Sequence, residues 1–61
     1  MTTKQKLEIA LELDGYTNFT AKGQRWTCNN EEDLLDDWIV AVNGDNEEDL
    51  VLYEDIETVE D

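Results

Sequence analysis

Carboxylates are the most abundant reactive side chains in this sequence. Asp36-Asp37, Glu47-Glu48 and Glu54-Asp55 are adjacent acidic pairs, and close carboxylates can share a proton or divide acid and base roles. The groups that usually make such chemistry work are missing. The chain has no histidine, so the commonest general base and the commonest transition-metal ligand are gone. Cys28 is the sole cysteine. It has no imidazole to activate it as a nucleophile and no second thiol for an intramolecular disulfide. Gly15, Gly23 and Gly44 stand singly, so no glycine-rich loop can cradle a phosphate. Catalysis is not expected, and neither is a cofactor.

The loop Gly44-Asp45-Asn46-Glu47-Glu48-Asp49 has the oxygen donors that calcium prefers. Its spacing does not fit the EF-hand, whose glycine follows an acidic residue by five positions; Ile39 occupies that position here. A solvated acidic turn is the better reading, with no dedicated metal site.

What the carboxylates do carry is charge. Lys and Arg total 4, Asp and Glu total 17, and the net charge is −13. The imbalance is also polarised along the chain. Lys4, Lys6, Lys22 and Arg25 all precede Trp26; beyond it every charged residue is acidic. Such a field repels nucleic acid and anionic membranes, and it draws in basic protein surfaces. It also strains a compact fold by self-repulsion, so a binding role that uses the charge is expected. Asp33, Asp36, Asp37, Glu47, Glu48 and Asp49 are the expected contact residues. The expected partner is a basic, nucleic-acid-binding protein; direct contact with nucleic acid or membrane is not expected, and a homodimer remains open.

Periodicity gives the elements on which these acids sit. With 61 residues the chain is one domain, 1–61, with one small core. Residues 3–14 read as a helix: Thr2 and Gln5 suit a capping box, Gly15 suits a left-handed C-terminal cap, and Tyr16 could pack back on Leu11 in a Schellman motif. The rival is a strand, since Leu7, Ile9, Leu11 and Leu13 alternate with polar residues and alanine. Residues 16–21 and 24–28 read as a hairpin around Lys22-Gly23, with Trp26 and Cys28 on one face and Arg25 and Thr27 on the other.

Residues 29–43 read as the central helix. Asn30 is its N-cap, and Glu31, Glu32 and Asp33 complement its dipole. Leu34, Leu35, Trp38, Ile39 and Val42 form the apolar stripe, and Gly44 is its left-handed terminator. This places Trp38 in the core and Asp33, Asp36 and Asp37 on the opposite face. Residues 50–53 read as a third strand joining the hairpin; a short helix from Asn46 is the rival. Residues 57–61 read as a frayed tail. The expected fold is α+β in the order α-β-β-α-β, with two helices on one face of a short antiparallel sheet. A meander with 6–13 as an extra strand is the alternative.

In its size, its lack of histidine and its acidic clusters NEEDLLDDW and DNEED, the chain resembles the DNA-mimic inhibitors encoded by phages and mobile elements. That resemblance implies a target among host nucleases, restriction enzymes, CRISPR effectors or nucleoid proteins. The rival function is a small phage-type assembly module that dimerises or docks through a strand edge and an apolar face. Residues 1–12 mix Lys and Glu with single apolar residues, unlike a secretory signal, and no apolar run approaches the ~20 residues of a membrane span. A cytoplasmic location is expected.

Overall fold

Thr2 and Gln5 close the capping box that the sequence announces. The Gln5 N–H donates to Thr2 Oγ1 at 3.2 Å and the Thr2 N–H to Gln5 Oε1 at 2.9 Å. They start α1, Thr3–Asp14, in the computed structural model, which describes residues 1–60. Gly15 ends it at φ 79°, its N–H donating to the Leu11 carbonyl at 3.0 Å. This single bond is the αL cap rather than the Schellman motif. Leu7 and Leu11, one turn apart, are the buried residues of the helix.

β1 (Thr17–Ala21) and β2 (Gln24–Cys28) form the expected hairpin, in register from Thr17 opposite Cys28 to Ala21 opposite Gln24. Lys22 and Gly23 both have positive φ, 54° and 73°, the two-residue turn whose twist matches the strands. Phe19, Ala21, Trp26 and Cys28 point into the core.

The expected central helix does not form. Asn30 does act as a cap, its Oδ1 accepting the Glu32 N–H at 3.0 Å, but it caps only a single 3-10 turn, Glu31–Asp33. The apolar run then becomes β3, Trp38–Asn43, with Ile39 and Ala41 buried. Ile39, Val40 and Val42 are β-branched. They lose side-chain freedom in a helix and pack well on a pleated surface. Between turn and strand the chain doubles back: Leu34 bridges to Ile39, and the Leu35 N–H donates to the Trp38 carbonyl at 3.0 Å. Asp36 and Asp37 sit at the tip of that reversal.

β4, Glu48–Leu52, pairs with β3 and not with the first hairpin. In the intervening turn the left-handed residue is Asn46, φ 62°, not Gly44. Asn43 Oδ1 braces the turn by accepting the N–H groups of Asp45 and Glu47 at 2.9 and 3.1 Å. A second 3-10 turn, Tyr53–Asp55, leads into β5, Ile56–Glu60, which pairs with β1. The segment read as a frayed tail is therefore strand through Glu60; Asp61 lies outside the described residues.

One helix and a five-stranded antiparallel sheet result, with strand order β4-β3-β2-β1-β5. β4 and β5 lie at opposite ends of that order, yet only Tyr53–Asp55 separates them in sequence. The sheet must therefore curl until its two ends meet at that corner. A bulge between Thr20 and Ala21 in the β1–β5 pairing adds local twist. α1 packs on β1, β5 and both 3-10 turns. The core enclosed is Leu7, Leu11, Phe19, Ala21, Trp26, Cys28, Ile39, Ala41 and Val51.

Candidate partner-binding surface

Strand alternation sets what the β3–β4 hairpin shows to solvent. Ile39, Ala41 and Val51 point inward, so Trp38, Val40 and Val42 point outward, opposite Leu52, Leu50 and Glu48 respectively. Leu35, at the start of β3's approach, adds to this face. Leu35, Trp38, Leu50 and Leu52 are all among the exposed large apolar side chains, between 37% and 48% accessible. Clustered exposed apolar groups on so small a domain mark a contact surface more strongly than single ones do.

The six acids expected to make contact are placed as follows. Asp36 and Asp37 lie exposed at one end of this hairpin; Glu47, Glu48 and Asp49 lie exposed at the other. The length of β3 holds the two groups roughly 20 Å apart at ~3.4 Å per residue. Asp33 belongs to neither. It is half-buried in the first 3-10 turn, beside Cys28. No helix face unites Asp33, Asp36 and Asp37, because the helix is absent. The acids bracket an apolar face instead of forming one anionic row.

The bases near this face are already engaged. Lys4 Nζ lies 3.7 Å from Asp36, and Lys22 Nζ lies 3.8 Å from Asp49. Both pairs are exposed, so each contributes at most ~1 kcal/mol. Lys22 also approaches the ring of Trp26, 6.0 Å from its centroid, and donates to the Leu50 carbonyl at 3.2 Å. The Asn43 N–H donates to the Glu47 carbonyl; antiparallel alternation then turns both backbone groups of Leu50 away from β3, toward the open edge. Both are occupied there, the carbonyl by Lys22 and the N–H by Asp49 Oδ1 at 2.8 Å. At Leu50 the strand edge is blocked by side chains, a common defence against strand addition.

Tyr53 ties the acidic tip to the β4–β5 corner. Its hydroxyl donates to the Leu35 carbonyl at 2.6 Å, and its N–H to the Asp37 carbonyl at 3.4 Å. Burial, then the nearby charges of Cys28, Asp36, Glu8 and Asp37, push its phenol up to about 12. An unfolded tyrosine titrates near ~10. The folded state thus holds the proton more tightly, and this contribution is present below pH ~10 and lost as pH rises through about 12. Between those values wild type should lose more stability than Tyr53→Phe, as read from melting temperatures across the alkaline range. Parallel curves for the two proteins would show that Tyr53 is not the group responsible.

Burial likewise raises the Cys28 thiol, with the Asp33 charge adding to it; its Sγ–H donates to the Asn30 carbonyl at 3.4 Å, which also favours the protonated form. That environment stabilises the neutral thiol and not a nucleophile. Among the described residues no three Cys, Asp or Glu side chains converge as a metal site would require. Nor, among the described residues, is any helix long and apolar enough to cross a membrane.

The sequence reading allows docking through an apolar face but puts Trp38 in the core, on a helix, so it does not locate this face, although the signal is present. Trp38 to Val42 is apolar at every position, and a strand apolar on both faces must bury both or leave one uncovered. Comparison with protein families, with curated proteins and with solved structures yields no match to this chain.

Proposed function

We propose that this chain is a non-enzymatic binding protein whose anionic surface occupies a basic, nucleic-acid-binding site on a partner protein in the cytoplasm. The observation that carries the reading is the shortage of free positive charge. Seventeen acids face four bases, and three of those bases are committed to ion pairs: Lys4 with Asp36, Lys22 with Asp49, and Arg25 with Glu60 at 2.8 Å. A basic surface would meet carboxylates on nearly every approach. The resemblance to DNA-mimic inhibitors supports the same reading through size and charge. The mimic would consist of two acidic clusters at the ends of a hairpin, not a helical row.

The exposed face of β3–β4 favours a second reading, in which the protein is a small assembly module docked through apolar contacts. Competition separates the two. A partner captured on the immobilised protein at low salt should be released by duplex DNA as well as by added salt, since both would contend for one site. A ternary complex of partner, DNA and this protein would refute occupation of the nucleic-acid site.

A further inference from the structure

We propose that the outer face of the β3–β4 hairpin, with Trp38 at its centre, is the desolvated heart of the contact. Its occupant is a basic protein surface that itself carries an apolar or aromatic group in the middle. The inference rests on the anionic-surface reading and deepens it by stating what the partner's site must contain besides positive charge.

Three observations converge on this. The face pairs Trp38 with Leu52 and Val40 with Leu50 across the hairpin, an apolar centre with acids only at its ends. Protein contacts commonly have this plan, an apolar core within a polar rim, with tryptophan enriched among the dominant contributors. The face is also held in shape before binding. The Trp38 carbonyl accepts the Leu35 N–H, and the Leu35 carbonyl accepts the Tyr53 hydroxyl, so little ordering remains to be done on association. Finally, Lys22 and Asp49 occupy the edge groups of Leu50. Strand addition is therefore obstructed at Leu50, which favours a partner that meets the face with its side chains.

Charge decides between occupants. A two-fold dimer through this face would set its acidic ends against those of a second copy, each chain carrying −13, because such an interface presents the same patch twice. The neighbouring bases, Lys4 and Lys22, lie beside the rim acids Asp36 and Asp49, but two bases against the exposed Asp36, Asp37, Glu47, Glu48 and Asp49 of each chain do not offset this. Nucleic acid and anionic lipid are repelled in the same way. A basic protein surface is the occupant whose charge fits.

Two synthetic peptides of equal length and charge test this, one alternating Lys with Ser and the other Lys with Leu. Both should bind at low salt. The Lys–Leu peptide should bind about tenfold more tightly, within the range of a tryptophan-centred contact, and should shift the fluorescence of Trp38, since Trp26 is only 2% exposed. Trp38→Thr, and independently Leu50→Thr, should abolish the preference while leaving Lys–Ser binding and the melting temperature nearly unchanged. Equal binding of the two peptides with Trp38 unperturbed would overturn this inference and leave the anionic-surface reading standing. Failure of both peptides to bind at low salt would remove that reading too. A dimer seen by sedimentation, with Trp38 shielded in it, would make a second copy the occupant and overturn the proposal.

Discussion

Trp26→Ala is expected to lose most or all of the stability of the fold, whereas Trp38→Ala is expected to leave the protein folded. Trp26 is 2% exposed and sits on β2, third in the strand order, where the sheet curls over its core. Its indole N–H donates to the Ala21 carbonyl at 2.9 Å, so the polar end of the ring is satisfied and the whole side chain can be buried. Emptying such a site costs ~3–5 kcal/mol. A chain of this length has a total stability of roughly 3–9 kcal/mol at 0.05–0.15 per residue, so the loss takes all of it at the lower end and most of it at mid-range. Trp38 is 37% exposed on the outer face. Its removal sacrifices a cross-strand pair with Leu52, worth ~0.2–1 kcal/mol. Thermal melts followed by circular dichroism check both. A larger loss for Trp38→Ala than for Trp26→Ala would put Trp38 in the core, as the helical reading of residues 29–43 has it.

The local punctuation was legible because each signal acts through its own backbone: the Thr2–Gln5 box, Gly15, the Lys22-Gly23 turn and the Asn30 cap all form. The hairpin faces were legible because Trp26 and Cys28 alternate with polar residues. The central segment misled because its acids and cap suit a helix start, and Leu34, Leu35, Trp38, Ile39 and Val42 match a helical period. Ile39 and Ala41 match a strand period equally well, and tertiary pairing with β2 and β4 selects it. β5 was illegible for another reason. Ile56–Glu60 carries only two half-buried apolar residues, Ile56 and Val59, and becomes a strand through pairing with β1, distant in sequence. Hydrogen-bonded partners such as Thr20 and Thr58, 2.6 Å apart at their hydroxyls, give no local signal.

The error moved the candidate site more than it moved its members. Five of the six acids expected to make contact remain exposed, but they bracket an apolar face, and Asp33 drops out beside Cys28. The remaining five also differ in what their removal would mean. Asp49 caps the Leu50 N–H and pairs with Lys22, so changing it would disturb the β4 edge as well as the charge. The side chains of Asp36, Asp37, Glu47 and Glu48 make no hydrogen bond or ion pair among the described residues beyond the exposed pair of Asp36 with Lys4. They are the clean set for neutralisation.

Whether the anionic surface does the binding can be decided by titrating a captured basic partner with wild type and with the Asp36→Asn, Asp37→Asn, Glu47→Gln, Glu48→Gln variant at several salt concentrations. Each exposed charge contributes on the order of 0.5 kcal/mol, so the four together should weaken low-salt affinity about thirtyfold, mostly through slower association. The fold should survive, with self-repulsion eased. The slope of log affinity against log salt should be shallower for the variant, and the two proteins should converge at high salt, where screening removes what separates them. Equal affinities and equal slopes for the two proteins would contradict binding through the anionic surface.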